Sequence, residues 1–258
     1  MLLLINDDGI HAPGLRHLYR ALRKETGMPV LAVAPSVQHS GQSHAITLDR
    51  GLTATPILED DFFGFSVDGT PTDCVKLALK VLLPKEPRLV ISGINDGPNV
   101  GRSLFYSGTV GAAIEAAIEG HPAIAISRDH GEGDDMAQAA RYAAGIAKAC
   151  LGRRELRGVV LNINIPAKLG DLETRPRLAH HGHSGFEETY RARRDQNGRL
   201  TWRLSGTRVE RSNEGVTDAH LLRSGLPTLT VLHPDFNADG DHLPARLLAR
   251  ITAQPDAD

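Results

Sequence analysis

At 258 residues the chain is long enough for one large core, or for a core with a small appendage. Hydrophobic residues make up 41% and the formal net charge is -2, which argues against a nucleic-acid polymer or a membrane surface as partner. Met1 to Ile5 runs into Asn6, Asp7 and Asp8 with no basic leader, and no apolar run approaches the roughly 20 residues of a membrane span, so a cytoplasmic setting is expected.

The first five residues read as a short buried strand closed by the polar turn Asp7-Asp8-Gly9. Pro13 suits the first turn of a helix whose Leu15, Leu18 and Leu22 share a face. Val30 to Ala34 gives a second strand, followed by a polar segment from Ser36 to His44 and an extended stretch from Ala45 to Leu48. Residues 51–67 resemble a β excursion ending at Val67, and Thr72 or Asp73 is placed to cap a helix carrying Val75, Ala78 and Leu82. Arg88 to Ser92 is a strand that stops at Gly93, and a glycine-rich loop then leads to an alanine-rich helix over Thr109–Glu119.

Ala123 to Ser127 reads as a strand, 135–150 as a helix and Gly158 to Ile165 as a strand. Strands alternating with helices predict an α/β fold with a largely parallel sheet. Residues 184–215 break the rhythm. Glu188 to Arg194 and Arg199 to Leu204 flank the turn pair Asn197-Gly198, which predicts an arginine-rich hairpin arm outside the sheet. Tyr190 and Trp202 on that arm are expected to pack or to form an interface. A helix over 217–223, a strand at Thr228 to Leu232 and a short helix near 243–251 complete the chain. Cys74 and Cys150 lie in apolar helical patterns and are expected as buried free thiols.

In parallel α/β sheets, ligands bind beyond the carboxyl ends of the strands. Three polar clusters fall at such ends: Asn6 to Gly9, Ser36 to Ser43, and Ser92 to Asn99. Adjacent carboxylates at Asp7 and Asp8 repel each other unless a cation or a shared proton relieves them. An oxygen-rich set favours a hard divalent ion, Mg²⁺ or Mn²⁺; capping of the turn is the plainer alternative. Gly93, Gly97, Gly101, Gly108 and Gly111 permit close backbone approach, and Ser107-Gly108-Thr109 opens a helix whose free amides suit a phosphate. Neither GxxxxGK[ST] nor GxGxxG is present at these loops, which disfavours triphosphate and dinucleotide cofactors. His11, His39 and His44 lie near the clusters, while His180, His181 and His183 have no second ligand group to make a zinc site with.

Taken together, LLINDDGIHAPG (3–14), VAPSVQHSGQSHAITL (33–48), VDGTPTDCVKLAL (67–79), LVISGINDGPNVG (89–101) and YSGTVGAAIEA (106–116) resemble the SurE family of stationary-phase survival proteins, 5'/3'-nucleotidases, over nearly the whole chain. The resemblance implies a single Rossmann-like three-layer domain over 1–258. A protruding hairpin arm (184–215) and a C-terminal segment would take part in homodimer or homotetramer assembly. It also implies one divalent metal ion per subunit, held by Asp7, Asp8, Ser40 and Asn95. Asn6, Asn99, Ser107, Gly108 and Thr109 would line the phosphate pocket.

The activity so implied is hydrolysis of nucleoside 5'-monophosphates by metal-activated water, with Asp7, Asp8 and Asn95 in catalytic roles; members vary in accepting 3'-monophosphates and short polyphosphate. Such a site suffices physically, because a metal polarises phosphoryl oxygens and acidifies water. The enzyme alternative is an aspartyl-phosphate route, whose signature needs an aspartate two residues after the nucleophile, where this chain has Gly9 and Ile10. A nucleotide-binding module without turnover is the other alternative.

Overall fold

The computed structural model describes residues 1–131, 135–172, 174–209 and 216–235. The helix expected near 243–251 and the end of the expected arm, 210–215, lie outside the described residues.

Strand β1 (Leu2–Ile5) is buried along its whole length, as expected of a central parallel strand covered on both faces. Helix α1 (Pro13–Thr26) starts on its proline and ends at Gly27, whose left-handed φ of 64° lets its amide close on Arg23 O. Strand β2 (Val30–Pro35) pairs in parallel with β1. The excursion is an antiparallel hairpin, β3 (Ala54–Glu59) and β4 (Phe62–Val67), with β4 parallel to β2 and β3 on the edge of the sheet. Helix α2 (Pro71–Leu77) follows.

Strand β5 (Val90–Asp96) pairs with the other side of β1, and α3 (Gly108–Ile118), β6 (Ala123–Arg128), α4 (Met136–Cys150) and β7 (Val160–Ile165) extend the parallel array. Strand β8 (Arg177–Leu178) comes next. Strands β9 (Gly185–Arg194) and β10 (Leu200–Val209) form a separate antiparallel ribbon. Helix α5 (Asp218–Arg223) and β11 (Thr228–Leu232) return to the sheet. The main sheet runs β3-β4-β2-β1-β5-β6-β7-β11-β8, with β11 antiparallel to β7.

Alternation along the strands divides the apolar side chains between two cores. Leu2, Leu4 and Ile91 face α1 and α4, meeting Leu15, Leu18 and Ala143. Leu3, Ile5 and Val90 face α2 and α3, meeting Val75, Val110 and Ala113. Each fully buried leucine contributes about 2 kcal/mol of transfer free energy to this three-layer arrangement. Both cysteines are buried free thiols, and burial pushes the Cys74 thiol well above its ordinary range. No helix among the described residues is long and apolar enough to cross a membrane.

Three local expectations change. Apart from these, the extended stretch 45–48 bonds its polar groups to the α2 entry. Thr47 donates its amide (3.0 Å) and hydroxyl (2.6 Å) to Asp73, and the Thr70 hydroxyl donates to Ala45 O at 2.7 Å. Thr70, rather than Thr72 or Asp73, caps α2, and Asp73 returns a bond to the Thr70 amide as a capping box. Strand β5 does not stop at Gly93 but runs to Asp96, with its pairing to β6 shifted between Ser92 and Asn95. A bulge of this kind re-aims the side chains that follow it. The hairpin is also longer than expected, and its loop spans 195–199, where Asp195 accepts from the amides of Asn197 and Arg199.

Candidate functional site

The chain leaves β1 towards β2 on one side and returns through β5 on the other. That reversal opens a crevice at the carboxyl ends of β1 and β5, where an open α/β sheet binds its ligand. Asp7 and Asp8 follow β1 directly, and the bulged end of β5 delivers Asn95 and Asp96 beside them. The Asp96 amide donates to Asp8 Oδ2 at 3.2 Å, which ties the two strand ends together.

The second polar cluster crosses over the same point. The His39 amide donates to Asp7 O at 2.8 Å, and the Gln38 carboxamide donates both to Asp8 Oδ1 (3.1 Å) and to Ser40 Oγ (2.9 Å). One amide group thus holds Ser40 next to Asp8. Asn95 spends its side-chain amide on Gly97 O at 2.6 Å, which leaves its carboxamide oxygen to accept a hydrogen bond or coordinate a cation. Asp7, Asp8, Ser40 and Asn95 therefore gather around one crevice, although Ser40 and Asp8 are joined only through Gln38.

The electrostatics are those of a site short of positive charge. Burial, opposed by a hydrogen bond from the Thr109 hydroxyl and reinforced by the charge of Asp8, pushes Asp7 up to about 6. Burial also raises Asp8, with the Asp96 charge adding and the Asp96 amide and Gln38 opposing. Among the described residues neither Asp7 nor Asp8 forms an ion pair, whereas Asp96 is met by Arg128 at 2.8 Å. Two carboxylates, a hydroxyl and a carboxamide oxygen with no cation between them fit a hard divalent ion such as Mg²⁺ or Mn²⁺. No cluster of three or more His, Cys, Asp or Glu ligands occurs among the described residues.

The start of α3 forms the adjoining wall. Ser107 caps the helix, its hydroxyl accepting from the Val110 amide at 3.1 Å, and Thr109 donates its hydroxyl to Asp7 Oδ1. Gly108 is required by proximity, since a Cβ there would lie 2.9 Å from Asp7 Cβ and 3.0 Å from Asp7 Oδ2. Gly111 is required for the same reason one turn on, where a Cβ would meet Ser43 O at 2.5 Å. The helix N-terminus thus abuts the Asp7 carboxylate closely enough for a phosphate to touch both.

Asn6 and Asn99 have different places in this geometry. The Asn6 side chain closes its own turn, exchanging bonds of 2.9 and 3.2 Å with Gly9. Asn99 donates its amide side chain to Ser127 Oγ at 2.8 Å, while its backbone is gripped by Asn162 and Asn164 of β7. Both carboxamides help to set the loops.

Gln38 and Asp96 lie inside the polar clusters of the sequence but gain their roles only from the fold, and Arg128 carried no recognisable signal. The two asparagines at alternate positions of the otherwise apolar β7 were a readable hint, because buried polar side chains need partners. Of the histidines, His11 meets Arg16 at 3.2 Å, His44 bonds Glu115 at 2.7 Å, and His181 lies edge-on to Phe105.

Comparison with known proteins agrees with this architecture. The family model described as Survival protein SurE matches residues 2–195. The protein called 5'-nucleotidase SurE in Desulfovibrio desulfuricans is 46% identical over 243 residues, covering 91% of this chain and 93% of that one. Its namesake in Solidesulfovibrio magneticus is 40% identical over 256 residues, with 99% of both chains covered. The crystal structure of the SurE protein from Aquifex aeolicus superposes with a TM-score of 0.80 at 32% identity, covering 98% of this chain and 99% of that one.

Proposed function

Because the chain belongs to the SurE family, we propose that it is a 5'-nucleotidase, hydrolysing nucleoside 5'-monophosphates to nucleoside and phosphate with a divalent metal ion. The observation that carries this reading is the meeting of the buried Asp7 carboxylate with the N-terminus of α3, beside Asp8 at the β1/β5 crevice. Asp7, Asp8, Ser40 and Asn95 would hold the ion. When bound, Mg²⁺ or Mn²⁺ supplies charge neutralisation for phosphoryl oxygens and acidifies water. The amides that open α3 at Ser107-Gly108-Thr109 orient the phosphoryl group and meet the charge that builds on it. Asp7 or Asp8 would take the proton of the attacking water. Asn95 and Ser40 bring oxygen donors without adding negative charge. The same phosphate end is open to a 3'-monophosphate or the terminus of a short polyphosphate. The hairpin β9–β10 is assigned to homodimer or homotetramer assembly.

The test is a phosphate-release assay on 5'- and 3'-monophosphates and short polyphosphate with Mg²⁺, Mn²⁺ or chelator. Release from 5'-monophosphates that stops on chelation and returns with either ion is expected. Undiminished turnover after exhaustive metal removal would sink the metal-dependent mechanism, and saturable binding without release would leave a binding module.

A further inference from the structure

Transfer of a phosphoryl group from a nucleoside to water moves protons at two places. One leaves the attacking water, and one must reach the departing ribose oxygen, which is too basic to leave as a bare alkoxide near neutral pH. Asp7 and Asp8 answer the first need, and as carboxylates holding a cation they have no proton to give for the second. The missing group must stand at the rim of the β1/β5 crevice, carry an exchangeable proton near neutrality and be held in a fixed direction, which suits a histidine. His11 is engaged with Arg16 at 3.2 Å and His44 with Glu115 at 2.7 Å. His130 meets the requirements.

Strand β6 ends at Arg128 beside the bulged end of β5, where Asp96 and Arg128 are register partners. The Asp129 amide carries the ladder one step further, to Ile165 O at 2.8 Å, and the His130 amide donates to Asp129 Oδ1 at 3.0 Å. The backbone beneath the ring is therefore fixed. His130 Nδ1 lies 3.5 Å from Asp96 Oδ1, an oxygen that also accepts from Arg128 at 2.8 Å, and the Asp96 amide holds Asp8 Oδ2 at 3.2 Å. One residue thus links the imidazole to a carboxylate of the metal set. The other ring nitrogen is turned to the Asn95 side. A Cβ on Gly97 would stand 3.5 Å from His130 Nε2 and 3.9 Å from Asn95 Nδ2, so the imidazole and the carboxamide flank one gap that glycine leaves open. The His130 side chain is 59% exposed, which gives it access to substrate and solvent and no part in the core.

Resting on the nucleotidase reading above, we propose that His130 is the proton donor to the leaving ribose oxygen and that Asp96 is its positioning residue. As the oxygen of water bonds to phosphorus, the bond from phosphorus to the ribose oxygen breaks. Its electron pair passes to that oxygen, which takes the proton from Nε2. Asp7 or Asp8 receives the proton of the water, and exchange with solvent restores both groups after nucleoside and phosphate depart. Asp96, facing Nδ1, directs Nε2 towards Asn95, and Arg128 keeps that carboxylate in place.

The experiment compares two substrates in the full-length protein at saturating Mn²⁺. Adenosine 5'-monophosphate loses an alkoxide that needs a proton, whereas p-nitrophenyl phosphate loses a phenolate that leaves without one. In His130→Gln, kcat/KM for the nucleotide should fall about a hundredfold while that for the nitrophenyl ester stays close to wild type. Asp96→Asn keeps its backbone amide for Asp8 and should fall severalfold on the nucleotide alone. Equal falls on the two substrates in His130→Gln put the ring on the attacking water or in the scaffold and overturn the assignment, as does an unchanged nucleotide rate. With nucleotide turnover intact in wild type, those results overturn the donor alone. Wild-type protein that releases no phosphate from the nucleotide overturns the nucleotidase reading and the donor with it.

Discussion

Asp7 is held in a state that costs stability for the sake of its position. Its carboxyl is raised to about 6 by burial, against an ordinary value of 3.8. The folded state therefore binds the proton more tightly than the unfolded chain, and stability is fully present below about pH 4 and is lost as pH rises through 6. A shift of about two units is worth roughly 3 kcal/mol in metal-free protein. Asp7→Asn should accordingly melt higher than wild type in chelator at pH 8, with the gap closing towards pH 4, while phosphate release is lost. Thermal melts across that range check it, and a gap independent of pH would remove the charge argument. Asp8→Asn and Asn95→Ala should lose most activity and keep the fold, since neither side chain is fully buried. Native circular dichroism with full activity in Asn95→Ala would take Asn95 out of the site.

At the scale of elements, the loop bearing Ser40 depends on α3 for its position. Glu115 of α3 is buried and accepts from His44 and Lys76, each at 2.7 Å. The His44 bond and then Lys76 hold its carboxyl below the ordinary glutamate value, so this stabilisation is present at neutral pH and is lost as pH falls through the depressed value. Glu115→Gln should lower stability by about 1–3 kcal/mol at pH 7 and raise the Mn²⁺ concentration for half-maximal activity severalfold. Gly111→Ala, pressing on Ser43 O, should raise that Mn²⁺ concentration too. A metal titration reads both, and unchanged half-saturation would sever the loop from α3. The strands and helices of the parallel array were legible because their apolar patterns are long and periodic, as at Leu15, Leu18 and Leu22 of α1 or along β7. The polar clusters at Asp7-Asp8, Ser40 and Asn95 were legible because they follow strands. What could not be read came from tertiary partners. Ala45–Leu48 is pinned by Asp73, β5 runs on through a bulge, and Gln38 is defined by groups 2 and 30 residues away.

At the scale of the whole molecule, the hairpin is the element least accounted for by its own chain. Its register places Tyr190 opposite Leu204 and Trp202 opposite Ala192, so Glu188, Tyr190 and Ala192 share one face with Leu200, Trp202 and Leu204. Tyr190 and Trp202 are each 61% exposed, and the ribbon pairs with no strand of the main sheet. A two-stranded ribbon is marginal in water by itself, and an aromatic face of this kind is the composition of an interface core. Covering Trp202 and Tyr190 in a second copy would remove well over 100 Å² of apolar surface from water, on the order of several kcal/mol per hairpin. Trp202→Glu combined with Tyr190→Ser should therefore shift the protein towards monomer while leaving the β1/β5 crevice in place. Deleting 188–204 should do the same. Light scattering at matched concentration reads both. An intact protein that is monomeric at tens of micromolar, or a double variant with unchanged mass, would refute assembly through this face.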